Sequence, residues 1–161
     1  MAELLSHVLV AYALATVAKW SLEWFTERHV GVVMIGSLLP DLNRIDLFVS
    51  ETTFESVLGV PFGLDAIHTL GGVVLLSAVG AMVVTTHHRR VFGLLLAGAV
   101  SHLILDAFKA YADGAADAWL YPITWIRHPT PNLYVSADPA VLGFTASVAL
   151  LVWWGDYSQG N

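Results

Sequence analysis

Apolar residues fall into five blocks along the chain, separated by polar stretches of unequal length. The first block runs from about Leu4 to Trp20, and a shorter second one from Val30 to Leu39. That second block stops at Pro40-Asp41, where the proline disfavours helix in the residue before it. The third runs from about Ile67 to Thr86 and carries Gly71, Gly72 and Gly80, small residues that permit close helix packing. The fourth runs from Val91 to about Phe108 and the last from Pro139 to Trp154. Several blocks approach the ~20 residues with which a helix crosses a bilayer. The pattern predicts an all-α fold: an integral membrane helical bundle of four to five apolar helices. Residues 1–161 would form a single membrane-embedded domain, with longer polar loops at about 41–65 and 109–138. The second block is too short to span comfortably and is expected to be tilted or half-buried.

Composition strengthens the membrane reading. The chain is 57% hydrophobic and only 12% charged, with a mean hydropathy of +0.68. A soluble domain of this size has too little interior for so much apolar surface. The first block resembles a signal peptide in length, but it lacks a basic leading region and a clear small-x-small cleavage site, so a retained anchor is expected. There is no cysteine, which excludes disulfides, thiolate catalysis and Cys-ligated zinc. A net charge of -6 disfavours nucleic-acid binding through a basic patch. Many loop carboxylates with few lysines would suit a halophilic, archaeal source.

Charge then orients the blocks. His87-His88-Arg89-Arg90 forms a tight basic turn between the third and fourth, and the positive-inside rule places it in the cytoplasm. Alternation adds Lys19 and Arg28 to that side. Arg44, Lys109 and Arg127 fall outside, with both long polar loops. The protein is thus expected to be a multi-pass protein of the cell membrane.

On that scheme five unusual polar residues converge. His7 lies at the outer start of the first block, Asp41 at the outer end of the second and His68 at the outer start of the third. His102 and Asp106 lie at the outer end of the fourth, one helical turn apart on one face. Ionisable groups in apolar segments are costly and need a partner or a task. Three imidazoles and two carboxylates suit one divalent metal, zinc by ligand type, or two metals sharing a carboxylate. The blander readings are interfacial histidines, Asp41 as a cap, and a hydrogen-bonded His102–Asp106 pair. His29, His87 and His88 belong to the opposite end. His128 reads as a solvated loop residue, Asp65 as a cap or a support for His68, and Arg44 as a surface residue or an anion contact.

The ordered set His7, Pro40-Asp41-Leu42-Asn43, His68-Thr69, His102-x-x-x-Asp106 and Tyr121-Pro122 resembles a known family. It looks like the small membrane-bound metal-dependent hydrolases of bacteria and archaea, which are similar to zinc-dependent phospholipase C. The resemblance implies that His7, Asp41, His68, His102 and Asp106 are zinc ligands, with Asp106 able to bridge to a second metal held partly by His7. It also makes Asp41 the catalytic group that orients or deprotonates water. The His-Arg-Gly that many members carry before the middle Thr-His is replaced here by Gly63-Leu64-Asp65.

The function expected from the sequence is a metal-dependent hydrolase acting on a phosphoester or phospholipid-like substrate, with membrane lipids as partners and the site on the extracytoplasmic side. The alternative is a non-catalytic membrane protein with a structural metal or a polar cluster. A conduit is disfavoured, because the middle of the third block offers only Ser77 and the fourth nothing ionisable before Ser101.

Overall fold

The computed structural model describes residues 2–47, 53, 56, 57, 63–135 and 138–159. Among the described residues, five α-helices can be delimited: α1 (Ala2–Ser21), α2 (Glu27–Gly36), α3 (Leu70–Val83), α4 (His88–Phe108) and α5 (Pro139–Gln159). No strand occurs among the described residues, where only two isolated bridges, Lys109 with Tyr134 and Ala115 with Pro129, interrupt the helical pattern. The fold is all-α, as the blocks predict. Among the described residues, three helices are long and apolar enough to cross a membrane: Leu4–Ser21, His88–Phe108 and Pro139–Gln159. At ~1.5 Å per residue, the 14 residues of α3 reach only about 21 Å.

Helix ends differ from the hydropathy blocks for local reasons. α2 begins at Glu27 rather than Val30 because Thr26 adopts an extended N-cap and donates its backbone N–H to His29 Nδ1 at 2.9 Å. It ends at Gly36, and the chain tightens into a 3₁₀ turn, Pro40–Leu47. α3 begins at Leu70 because Asp65–His68 forms a separate 3₁₀ turn and Thr69 Oγ1 accepts the Gly72 N–H at 3.2 Å. The polar loop 41–65 lies partly outside the described residues. The loop after α4 folds back on the bundle: Trp119 and Tyr121 carbonyls accept the Leu70 and Gly71 N–H groups at 2.7 and 2.8 Å. Those contacts satisfy backbone donors at the start of α3 that no helical partner reaches.

The centre of the bundle is α4, packed between α2 and α3. One core joins α1, α2 and α4 through Ala11, Ala15, Val30, Val33 and Leu94, with Phe25 from the connecting turn. A second joins α3 and α4 through Val73, Ala99 and Leu103. Two glycines set the α2–α4 distance. A methyl group on Gly98 would overlap the Val33 carbonyl, and one on Gly36 would overlap the Leu95 carbonyl. Backbones approach this closely only where side chains are absent, as is common between membrane helices. α5 packs mainly on α1 and presents Phe144, Leu150, Leu151 and Trp154 outward. Exposed apolar surface of this kind suits a hydrocarbon environment.

Candidate metal centre

The structure brings all five singled-out residues to one point. α1 contributes His7, the 3₁₀ turn after α2 contributes Asp41, the turn before α3 contributes His68, and α4 contributes His102 and Asp106. His7, Asp41, His102 and Asp106 are buried, and His68 is half-buried. Asp106 stands at the centre. Its Oδ1 lies 3.2 Å from His7 Nε2, and its Oδ2 lies 2.8 Å from His68 Nε2 and 3.4 Å from His102 Nε2. His102 Nε2 also faces Asp41 Oδ2 at 4.0 Å. The rings pack as well as bond: His7 stacks on His102 with centroids 4.0 Å apart, and His68 meets His102 edge-on at 5.4 Å.

The close α2–α4 approach orients the central imidazole. Gly98 lies one turn before His102 on α4, so its missing side chain opens that face to the end of α2. Ser37 then presents its carbonyl to His102 Nδ1 at 2.7 Å. With Nδ1 donating there, Nε2 is the nitrogen left to face the carboxylates and to bind an ion. A backbone carbonyl on the far nitrogen is the usual support of a metal-binding histidine. Sequence reading missed Gly36, Ser37 and Gly98, although the Gly98–His102 spacing is a signal for them.

Two cations balance the carboxylates. Arg44 Nε donates to Asp41 Oδ1 at 2.6 Å, and Lys109 Nζ lies 3.2 Å from Asp106 Oδ1. Arg44 thus has a definite partner, but Lys109 was not anticipated as part of the site. Asp41 Oδ2 remains buried without a hydrogen-bond partner. Buried carboxylate oxygens rarely lack a partner, and each unpaired one asks for an explanation. A cation between Asp41, His68 and His102 supplies one.

Distances test the fit. Metal bonds of ~2.0–2.1 Å in a tetrahedron put ligand atoms about 3.3 Å apart. The 3.2, 3.4 and 4.0 Å separations bracket that value; the 2.8 Å one is a hydrogen-bond length. Two overlapping triads of donor atoms arise, His7–His102–Asp106 and Asp41–His68–His102. Both depend on His102 Nε2, since Nδ1 is engaged by Ser37. One ion sharing that nitrogen accounts for the geometry more simply than two.

A cavity of about 610 Å³ opens onto the cluster. Asp41, His68 and Asp106 form one wall, and Arg44, Lys109 and Tyr111 stand around it. Burial pushes the Tyr111 hydroxyl up to about 12, against the opposing pull of Lys109 and with a smaller push from Asp106. The phenol therefore stays a neutral donor. Behind His7 lies a separate apolar cavity of about 420 Å³, lined by Val10, Leu105, Val141 and Phe144. His128 and Asp65 do not join the donor triads; Asp65 lines the polar cavity. His29, His87 and His88 lie at the opposite end of the bundle, His87 as the left-handed N-cap of α4 with φ 59°.

A family model described as YdjM inner membrane protein matches residues 1–159. No curated protein and no solved structure matches the chain. The match overturns the resemblance to metal-dependent hydrolases related to zinc-dependent phospholipase C. That resemblance rested on short signatures, Pro-Asp and His-x-x-x-Asp, which an ordinary helix end and one helical turn also produce. An inner-membrane location fits three apolar spans, and the chain belongs to the YdjM inner membrane protein family.

Proposed function

We propose that this membrane protein binds one divalent metal ion, zinc by donor type, through His7, Asp41, His68, His102 and Asp106. The observation that carries the reading is Asp41 Oδ2, a buried carboxylate oxygen without a hydrogen bond that faces His102 Nε2. Imidazole nitrogen and carboxylate oxygen together favour zinc over calcium or magnesium, which prefer all-oxygen shells. Ions at this point would tie four segments of the chain together, a structural role that needs no chemistry.

A second reading is favoured by the cavity. Structural zinc sites are closed by protein ligands, whereas catalytic ones keep a position open. Asp41, His68 and Asp106 line the 610 Å³ cavity, so the cluster is open on that side. A bound metal supplies an activated water and polarises a phosphoryl oxygen. Asp41 would orient or deprotonate that water, and its contact with Arg44 holds the carboxylate in place. Arg44 and Lys109 would draw an anionic phosphoester toward the cluster, and Tyr111 would donate a hydrogen bond to it.

Metal analysis of the detergent-purified protein beside His102→Ala tests the first reading. About one equivalent in wild type and a near-metal-free variant are expected. A metal-free wild type, or full occupancy in the variant, would sink it. Hydrolysis of aryl phosphodiesters tests the second, with turnover expected in wild type and lost in Asp41→Asn when both are compared at saturating metal.

A further inference from the structure

The opposite end of the bundle holds a further cavity, of about 250 Å³, between α2, the α3–α4 turn and α4. Two arginines, Arg28 and Arg90, stand at its rim beside the imidazoles of His29 and His87. No carboxylate does. Glu27, the acidic residue next to Arg28, is drawn away to Lys19 by an ion pair. Burial first, then the charges of Arg90 and His87, hold the His29 imidazole below its usual range. Arg90 also stacks its guanidinium over Trp24 at 5.1 Å, which fixes it at this edge.

Below the rim the lining changes character. Val32, Val91 and Leu94 form the inner wall, with Leu94 buried in the core of the bundle. The cavity is therefore amphipathic, basic at the mouth and apolar beneath. α4, which forms one side of it, is among the apolar spans, and the mouth sits at its first turn. The tryptophans Trp20 and Trp24 lie at the same end, as aromatic residues do at a bilayer interface. A free anion has no use for the apolar wall, and a neutral lipid has none for the rim.

We propose that this cavity binds the head group of an anionic phospholipid, its phosphate between Arg28 and Arg90 and its glycerol against Val32 and Val91. Basic pockets between membrane helices hold such head groups through charge-assisted hydrogen bonds. The site is independent of the metal cluster, which lies at the other end of α4.

Native mass spectrometry of the full-length protein in detergent, titrated with phosphatidylglycerol or phosphatidylcholine, tests it. Each arginine near an anionic lipid is worth roughly fivefold in affinity, so Arg28→Gln with Arg90→Gln should weaken phosphatidylglycerol binding about 25-fold. Phosphatidylcholine binding should be weak in wild type and unchanged in the variant. Thr86→Glu, which places a carboxylate on this exposed lining position, should have the same effect without removing either arginine. Metal content at the far end should not change. Equal affinity for the two lipids, or an unaltered preference in both variants, would overturn the proposal. So would displacement of phosphatidylglycerol by millimolar inorganic phosphate, which would mark a free-anion site instead.

Discussion

The two ends of the bundle use the same residue types to opposite effect. At one end three histidines and two aspartates are drawn inward around Asp106, with separations of 2.8–3.4 Å from its oxygens. At the other, three histidines and three arginines sit mostly at the surface, and Lys19 pairs with Asp156 and Glu27. Backbone spacing makes the difference. Where Gly36 and Gly98 let α2 and α4 touch, a carbonyl reaches His102 and fixes its ring. At the start of α4, the His87 cap makes no side-chain bond to the helix, and the neighbouring basic residues stay exposed. Histidine count alone would not separate the two ends; donor direction does.

Removing the hub should show the largest contrast. Changes to groups that merely support metal ligands typically cost ~10–100-fold in affinity, so Asp106→Ala, which removes a proposed ligand, should cost more than about 100-fold. Competition with a chromophoric chelator measures it. The same titration on His87→Ala should show no change, and an equal loss there would erase the distinction between the ends.

Gly98→Val comes next. Its side chain would meet the Val33 carbonyl, and overpacking of this kind costs about 1–3 kcal/mol. Unfolding in denaturing detergent should show that loss. Metal affinity should fall with it, because Ser37 moves off His102. Gly93→Val on the same helix, where nothing lies within 4 Å, should do neither.

Arg44→Gln is expected to weaken metal binding about tenfold, by releasing the Asp41 carboxylate that Arg44 holds at 2.6 Å. Lys19→Met at the basic end should change stability by less than about 1 kcal/mol, as partly exposed ion pairs do, with metal affinity unaltered.

A further contrast concerns pH. The Tyr111 hydroxyl is raised from 10.0 to about 12. Its folded form therefore holds the proton longer than the unfolded chain does. The associated stability is complete below pH 10 and is lost as pH rises through 12. Comparing wild type with Tyr111→Phe by thermal unfolding at pH 9 and 11.5 should show a pH-dependent gap only in wild type.

Much of this was legible in the sequence because hydropathy and alternation are one-dimensional signals. Five apolar blocks give five helices, and alternation alone sends His7, Asp41, His68, His102 and Asp106 to one end. Helix limits shifted where capping overrode hydropathy, at Thr26 and Thr69. The parts that stayed hidden depend on contacts between distant segments. Ser37 is 65 residues from His102, and no periodicity links Lys109 and Tyr111 to the cavity they line. The hydrolase resemblance failed for a related reason: motifs one helical turn long carry too little information to name a family, and the match over residues 1–159 carries far more.

The central claim is that imidazoles from three segments converge on one ion. X-ray absorption at the zinc edge of the metal-loaded protein measures that directly. Three imidazole nitrogens at about 2.0–2.1 Å are expected, with oxygen completing the shell and no second metal neighbour. His7→Ala and His68→Ala should each remove imidazole scattering. A shell of oxygen alone, or an unchanged imidazole count in both variants, would contradict it.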